Sequence, residues 1–448
     1  MSRQACSDST LARIMRQKIL YEGAGQLEYE IRNIVKKAEQ LQQLGLTIYW
    51  ENIGDPIQKH AKIPPWIKEI ITDLVNKDAT YGYCHSKGIL DTRKFLAART
   101  NRRGGAQITE NDILFFNGLG DAISKLYQFL HSSSRIIGPS PAYATHSSAE
   151  AAHANAAPLT YRLDPENSWY PDLEDMHNQI RYNPNIIGIL VINPDNPTGM
   201  VYPLETLKKI VQMARDYQLI LVSDEIYNNI TYHETTSYAL SEIIEDVPGI
   251  ALSGISKELP WPGARCGWME FYNRNVDQDF SDLCTALENV KMTEVCATTL
   301  PQKAIPLIMS DSRYDEYRHQ LNQAIGARGK IVANILGGLP FIHFNETFGA
   351  FYNTIVFKNG VLKPEQFLET TDSQITQLLV EWIDPALPLD KQFSYYLLAT
   401  TGVCVVPLSS FHSKLLGFRV TLLEEDPDLL AIIFEKIRNA IQEYCTSG

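Results

Sequence analysis

The chain has 448 residues, of which 44% are hydrophobic and 21% are charged, and its formal net charge is -12. This length predicts two or three lobes of roughly 100 to 200 residues each, and the composition is that of a globular protein rather than a disordered or fibrous one. A negative charge of this size repels phosphate backbones, so nucleic acid is not expected as a main ligand.

Cysteines and apolar runs place further limits on the class of protein. The seven cysteines are scattered, with no C-x-x-C pair and no histidine at metal-ligand spacing, so they predict thiols in a reducing compartment and no metal site. The opening residues MSRQACSDST contain no apolar signal core, and the run IIGILVI at 186–192 is far shorter than the ~20 residues of a membrane helix. We therefore expect a cytoplasmic protein without a membrane partner.

The predicted elements begin with a helix and continue as alternating strands and helices. Apolar residues recur at helical spacing from Gln26 to Gly45, and Gly45 suits a left-handed C-terminal cap. Another helix is clear after Pro203, where the apolar residues fall on one face. The strand candidates between about residues 112 and 272 are DILFFN, RIIGP, IIGILVIN, LILVSD, IALSGIS and RCGWMEFY. This alternation predicts an α/β fold with a mostly parallel sheet covered by helices on both faces.

The pattern changes after about residue 320 to a helix, short strand pieces and a final helix. Asp426 and Pro427 are typical of the start of that last helix. This part is predicted to be a second, smaller α+β lobe, and the N-terminal segment is expected to pack with it.

Residues just after the strands are candidates for chemistry, because ligand sites in such sheets form beyond the carboxyl ends of the strands. Gly118 and Gly120 follow one strand and open a helix, so their free N–H groups suit a phosphate, with an ordinary βα turn as an equal alternative. The segment INPDNPTG at 192–199 ends a very apolar strand and is interpreted more simply as a rigid turn. Asp224 ends another strand, three residues before Tyr227. Its carboxylate needs a partner, and a cationic ring nitrogen or a helix N-cap would both serve.

Three basic residues complete the candidates. Lys257 follows the strand IALSGIS and could act as a Schiff-base nucleophile, although a surface lysine is the commoner interpretation. Arg265 lies eight positions further on and offers a planar fork suited to a phosphate. Arg419 interrupts the apolar run GFRVTLL, where it is expected to bind either a substrate carboxylate or a structural acidic residue.

Four segments, NPDNPTG, SDEIY, SGISKELPWPGARCGW and FRVTLL, resemble in their order and spacing four blocks of the class I and II aminotransferases. The resemblance runs from NIGDP at 52–56 nearly to the C-terminus. It implies pyridoxal phosphate as the cofactor and fold type I, which combines a large domain, with a seven-stranded-type sheet between helices, and a smaller α+β domain. The implied limits are an N-terminal arm at 1–62, the large domain at 63–318 and the small domain at 319–448.

The resemblance also assigns roles to residues. Lys257 would bind the cofactor and move the proton, Asp224 would keep the pyridine nitrogen protonated, and Tyr227 would contact the phenolic oxygen. The remaining implied contacts are Asn196 at the phenolic oxygen and the substrate, Arg265, Ser256, Leu119 and Gly120 at the phosphate, Tyr143 stacked on the ring, Gly54 and Arg419 at the substrate carboxylate, and Tyr83 reaching the phosphate of a neighbouring subunit. The last contact implies a homodimer.

Two departures from the family pattern stand out. Many relatives have a serine three residues before the lysine, whereas this chain has Gly254 there, with Ser253 and Ser256 beside it. Relatives specific for acidic amino acids add a second arginine from the partner, and the corresponding region, KMTEVCATTLPQ, offers only Lys291. The segments NIGDP and YGYCHSKG resemble the alanine and aromatic or broad-specificity relatives more than the aspartate enzymes, and the missing arginine also weakens an aspartate interpretation.

The predicted function is transfer of an amino group from an L-amino acid to a 2-oxo acid by a ping-pong cycle. A β-lyase of the C-S lyase type on the same fold is the nearest alternative, because the cofactor permits several outcomes and side-chain positioning decides among them. A sensor without turnover is a further alternative, but such fusions usually carry a DNA-binding module, for which the ~50 residues before NIGDP are too few.

Overall fold

The computed structural model describes residues 19–27 and 31–447, with residues 31 and 32 by their backbone alone. Residues 1–18 of the predicted N-terminal arm, together with residues 28–30 of the predicted first helix, lie outside this range. The helix α1 then runs over Ile31–Gln43, and Gly45 has the positive φ of 93° predicted for its cap.

An eight-stranded sheet forms the centre of the larger lobe, and its strands in spatial order are β2 (Ile113–Phe116), β9 (Gly267–Tyr272), β8 (Gly249–Gly254), β7 (Ile220–Asp224), β6 (Ile186–Ile192), β3 (Arg135–Ser140), β4 (Thr160–Asp164) and β5 (Tyr170–Pro171). The pairs within the run from β8 to β4 are parallel, β9 is antiparallel to both of its neighbours, and β5 is antiparallel to β4. All six strand candidates are confirmed. The sheet has one strand more than the expected seven because the two-residue β5 adds to its edge.

Helices cover both faces of this sheet, as the alternation predicts. Leu114 and Phe116 face one hydrophobic cluster and Phe115 faces the other, so successive side chains of one strand are buried on opposite faces. The helices between Pro65 and Met309 are α2 (Pro65–Val75), α3 (Leu90–Asn101), α4 (Leu119–Gln128), α5 (Ala144–Ala154), α6 (Leu173–Tyr182), α7 (Leu204–Asp216), α8 (Leu240–Ile243), α9 (Gln278–Thr293) and α10 (Thr299–Met309).

The smaller lobe is built on a four-stranded antiparallel sheet in the order β10 (Ile342–His343), β11 (Tyr352–Phe357), β14 (Gly417–Thr421) and β13 (Val406–Pro407). Its helices are α11 (Tyr314–Leu336), α12 (Ser373–Trp382), α13 (Leu389–Thr401) and α14 (Pro427–Thr446). As predicted, Asp426 caps α14, because its Oδ1 accepts hydrogen bonds from the N–H groups of Asp428 and Leu429.

The N-terminal helix packs on the smaller lobe. Ala38 and Leu41 of α1 lie in one hydrophobic cluster with Leu379 of α12 and Leu398 of α13. Just after α1, β1 (Tyr49–Trp50) pairs in parallel with β12 (Val403–Cys404). These contacts bring the segment NIGDP beside the second lobe. Within the described residues, no helix combines the length and the apolar composition needed to cross a membrane.

Candidate active site

The predicted site residues converge at one edge of the large sheet. Because β3, β6, β7 and β8 are parallel, the segments after them all leave the sheet at the same edge. Tyr143, Asn196 and Lys257 lie in these segments, and Asp224 is the last residue of β7. The antiparallel strand β9 begins at this edge, which places Arg265 just before it.

Asp224 is a buried carboxylate, only 3% exposed, at the carboxyl end of β7. The Nε2 atom of His146 lies 2.9 Å from its Oδ2, and the N–H of Ile226 donates to its Oδ1 at 3.2 Å. His146 lies on the first turn of α5, three residues after Tyr143, and the two rings meet edge to face. Sequence reasoning did not select His146, although it is the last residue of the stretch GPSPAYATH that contains Tyr143.

Lys257 meets the N-terminal segment rather than a surface partner. Its Nζ donates a hydrogen bond to the carbonyl oxygen of Gly54 at 2.8 Å and lies 5.7 Å from the centre of the Phe351 ring. The side chain is partly buried. The predicted catalytic lysine and the predicted N-terminal glycine are therefore in contact, although 203 positions separate them.

Arg265 lies against the glycine turn at the start of α4. Gly118 is the N-cap of this helix with φ of 88°, and a Cβ atom there would overlap the guanidinium of Arg265. Arg265 itself adopts the left-handed conformation with φ of 47°, which is uncommon for a residue with a side chain. The predicted phosphate ligands Arg265, Leu119 and Gly120 are thus brought together at a helix N-terminus, where N–H groups and the helix dipole attract anions.

Arg419 is 5% exposed and points from β14 toward this edge. Its Nη2 donates to the carbonyl oxygen of Asn52 at 2.7 Å, and its Nη1 lies 3.4 Å from Oδ1 of Asn196. The guanidinium lies 4.5 Å from the ring centre of Tyr352 and 5.2 Å from that of Phe411. Among the described residues, its buried Nε has no hydrogen-bond partner, and no acidic side chain pairs with its guanidinium. This arrangement favours an external carboxylate over a structural salt bridge.

Tyr227 is 2% exposed, and its hydroxyl lies 3.0 Å from that of Tyr352. Burial, followed by the neighbouring Tyr352 hydroxyl, raises the pKa of Tyr227 well above its usual value, so its oxygen keeps its proton at neutral pH. Sequence reasoning also missed Tyr352, which follows the apolar stretch FGAF and gives no local indication of a polar role.

Within the described residues, no hydrogen bond joins Ser256 or Tyr83 to the other predicted phosphate ligands. Ser256 is partly buried two residues beyond the end of β8. Tyr83 is 86% exposed on the surface of the chain. The residue after it is anchored, because the N–H of Cys84 donates to Sγ of Cys296 at 3.4 Å. Tyr83 is therefore a solvent-exposed side chain beside a residue whose backbone is held by a hydrogen bond.

The two departures from the family pattern have structural explanations. A Cβ atom at Gly254 would lie 3.0 Å from the carbonyl oxygen of Cys266, so the close pairing of β8 with β9 leaves little room for a serine. Lys291 is fully buried, and its ammonium binds Asp121 at 3.4 Å and also Glu294. Lys291 is thus engaged within its own chain.

Asp195 lies between the two asparagine-proline pairs of NPDNPTG and is fully buried. The pKa of Asp195 is raised to about 7, mainly by burial and to a smaller extent by the charge of Asp224, against the lowering effect of hydrogen bonds from Thr198, whose hydroxyl lies at 2.6 Å. One of its oxygens, Oδ1, has no hydrogen-bond partner in the part of the chain that the structure describes. The carboxyl groups of Asp195 and Asp224 therefore influence each other's charge at this edge of the sheet.

A cavity of about 860 Å³ lies away from the predicted site residues. Its lining includes Ile187, Ile220 and Pro248, which lie at or just before the starts of β6, β7 and β8. It is therefore at the opposite edge of the sheet from the catalytic candidates.

Comparison with known proteins agrees with this geometry. The family model for aminotransferase class I and II matches residues 52–436. An uncharacterized aminotransferase of Methanocaldococcus jannaschii is 49% identical over 430 residues, covering 96% of this chain and 99% of that protein. The glutamate-pyruvate aminotransferase AlaA of Escherichia coli is 32% identical over 280 residues, covering 62% of this chain and 67% of that protein.

Solved structures show the same architecture. The alanine aminotransferase of Pyrococcus furiosus superposes with a TM-score of 0.81 at 25% identity, covering 94% of this chain and 99% of that one. The tyrosine aminotransferase of Leishmania infantum, 19% identical with a TM-score of 0.80 and covering 96% of this chain and 99% of that one, shares the fold. From the family match, the relatives and the fold together, this chain belongs to the class I and II aminotransferases, enzymes of fold type I that transfer amino groups between amino acids and keto acids.

Proposed function

We propose that this transaminase carries pyridoxal phosphate on Lys257 and works by a ping-pong cycle between an L-amino acid and a 2-oxo acid. The observation that carries the proposal is the convergence of Lys257, Asp224 and Arg265 at the edge of the sheet toward which Arg419 points. One amine, one carboxylate and two guanidinium groups are thereby gathered around the ends of parallel strands.

The residues present fit this cofactor. A protonated ring nitrogen would bring a positive charge to the buried carboxylate of Asp224, whose only hydrogen-bond partners among the described residues are His146 and the backbone N–H of Ile226. The absence of a side chain at Gly118 lets the Arg265 guanidinium lie against the start of α4, where the guanidinium and the helix N–H groups would stabilise a phosphate dianion. Ser256 and the N–H groups of Leu119 and Gly120 are the further proposed phosphate ligands.

When bound, pyridoxal phosphate supplies an electron sink for the negative charge that develops at the substrate Cα. Lys257 would hold the cofactor and, once the substrate amine has displaced its own amine, would move the proton from Cα to C4′ as a general base and then a general acid. Asp224 keeps the ring nitrogen protonated, Tyr227 donates to the phenolic oxygen, and Arg419 binds the substrate carboxylate through two N–H groups. Asn196 contacts the phenolic oxygen, Tyr143 stacks on the ring and Gly54 borders the carboxylate in this proposal.

We further propose a homodimer in which Tyr83 completes the phosphate site of the neighbouring subunit. Its 86% exposure and the anchoring of Cys84 on Cys296 support this role, because the phenol is exposed beside a held backbone. The proposed domain limits are 1–62, 63–318 and 319–448. Hydrophobic clusters that lie mainly within 63–318 and mainly within 319–448 support this division, with Val406 and Tyr227 among the residues that join a cluster of the other lobe.

L-alanine and L-glutamate, with their 2-oxo acids, are the first substrates we propose. The relatives named as alanine and glutamate-pyruvate aminotransferases support this choice. The engagement of Lys291 by Asp121 and Glu294 argues against its use as a second binding group for an acidic side chain in an aspartate-type enzyme.

Borohydride reduction followed by peptide mapping tests the cofactor attachment. We expect the pyridoxyl group on Lys257, and no label in Lys257→Ala. The surface variant Lys208→Ala is the matched control and should be labelled like the wild type, because Lys208 is 53% exposed on α7. A label on another lysine, or on none, would refute the proposal.

The reaction is tested by adding single L-amino acids to the holoenzyme and following the cofactor absorbance to the pyridoxamine form. Conversion that is reversed by a 2-oxo acid supports transamination. Release of pyruvate and ammonia from a substrate with a β leaving group, without any such conversion, would instead support a lyase. If the cofactor is bound but no amino acid converts it and no amino acid is cleaved, a sensor is supported.

A further inference from the structure

Tyr352 occupies a central position between the groups of the proposed site. It is the first residue of β11, is 2% exposed and pairs with Thr421 of β14. In the same register Thr354 pairs with Arg419, so Tyr352 and Arg419 are diagonal neighbours on one face of the sheet. This face is turned toward the larger lobe, because the Thr354 hydroxyl donates to the carbonyl oxygen of Pro197.

The side chain of Tyr352 contacts three parts of the site at once. Its hydroxyl lies 3.0 Å from the Tyr227 hydroxyl, and its ring centre lies 4.5 Å from the Arg419 guanidinium. Its hydroxyl also packs on Gly54, where any Cβ atom would overlap it, and the carbonyl oxygen of Gly54 accepts the hydrogen bond from Lys257.

The direction of the hydrogen bond between the two tyrosines follows from proton counting. Each hydroxyl has one hydrogen to donate. If Tyr227 donates its hydrogen to the phenolic oxygen of the cofactor, it can only accept from Tyr352. Donation from Tyr352 then polarises the Tyr227 O–H bond and strengthens its donation to the cofactor.

We propose that Tyr352 is a positioning residue that directs the Tyr227 hydroxyl proton toward the cofactor through its own hydroxyl and holds the Arg419 guanidinium for the substrate carboxylate through its ring. This inference rests on the proposed function. The two contacts belong to different parts of one side chain, so the two effects are separable by substitution.

Tyr352→Phe removes the hydroxyl and keeps the ring. The phenolic oxygen of the cofactor then receives a weaker hydrogen bond, retains more negative charge and binds more tightly the proton that it shares with the Lys257 nitrogen. We expect the midpoint of the absorbance-against-pH titration of the holoenzyme to rise by about 0.5 to 1 unit, the size of one net hydrogen bond. The KM for the amino acid should stay within about twofold, since the ring beneath Arg419 remains.

Tyr232→Phe is the matched control. Tyr232 is also a buried tyrosine of the same hydrophobic cluster, 5% exposed, but its hydroxyl donates to Thr347 at 2.8 Å, outside the proposed site. The Tyr232→Phe holoenzyme should have the same titration midpoint as the wild type. Tyr352→Leu removes the ring as well, and we expect it to raise KM by about tenfold in addition to shifting the midpoint.

The inference is overturned if Tyr352→Phe titrates like the wild type and Tyr232→Phe, or if it raises KM as much as Tyr352→Leu does. Either result is meaningful only if the wild-type holoenzyme has a pH-dependent cofactor absorbance band and carries the borohydride label on Lys257. If the wild type lacks that band or that label, the proposed function itself fails, so the two failures are distinguishable.

Discussion

The guanidinium of Arg419 allows a direct test of the proposed carboxylate site. Arg419→Lys keeps the positive charge but removes the planar fork that now bonds Asn52 at 2.7 Å and approaches Asn196 at 3.4 Å. A lysine ammonium cannot keep these contacts and also bind a carboxylate in bidentate fashion. Losing one charge-assisted hydrogen bond costs about 1.5 to 3 kcal/mol, which corresponds to a fall of about 10- to 150-fold in kcat/KM for the amino acid.

The assay compares L-alanine with ethylamine, which has the same reacting amine but no carboxylate. In Arg419→Lys, kcat/KM should fall for alanine and stay within about threefold for ethylamine, because only alanine uses the fork. The dissociation constant of pyridoxal phosphate should be unchanged. If the ratio of the two kcat/KM values equals that of the wild type, Arg419 does not bind the substrate carboxylate.

Other predictions concern buried charges and the dimer. Lys59→Met leaves the fully buried Glu51 without the ammonium at 2.8 Å, so the free energy of unfolding in urea should fall by about 3 kcal/mol. The double variant Glu51→Gln/Lys59→Met should recover part of this loss. An unchanged free energy in Lys59→Met would show that the ion pair does not stabilise the fold. Burial raises the pKa of Glu225 from 4.5 to about 7, so its proton stabilises the fold fully below pH 4.5, and this contribution disappears as the pH rises through 7. The unfolding free energy of the wild type relative to Glu225→Gln should therefore fall by about 2 to 3 kcal/mol from pH 5 to pH 8, and a constant difference would contradict this. Mixing inactive Tyr83→Ala and Lys257→Ala subunits should restore activity, because one site of the hybrid dimer has both residues; no recovery would argue that Tyr83 does not act across subunits.

Much of the fold could be predicted because its information is local. The apolar runs of β6 and β7 are long enough to mark buried strands, and Asp426 and Gly45 mark helix ends through their own backbone and side-chain preferences. Local rules were less successful for the shortest elements. The two-residue strand β5 has no periodicity to detect, so the eighth strand was not expected.

Parts of the site escaped prediction for a different reason. His146 contacts Asp224 across 78 positions, and Tyr352 contacts Tyr227 across 125. An isolated histidine on a helix and a tyrosine beginning a strand have the same local pattern whether they pack in a core or orient a catalytic group. Only their neighbours in space distinguish these roles.

By itself, the sequence determined the alternation of strands and helices and the order of the motif blocks, because hydrophobic periodicity and turn residues act over a few positions. The tertiary structure alone decided which of these residues meet. Lys257 contacts Gly54, and Arg419 contacts Asn52, across 203 and 367 positions respectively. Such contacts depend on the parallel register of the large sheet and on the position of the N-terminal segment beside the second lobe. Both features are set by burial of the whole chain rather than by any one stretch of it.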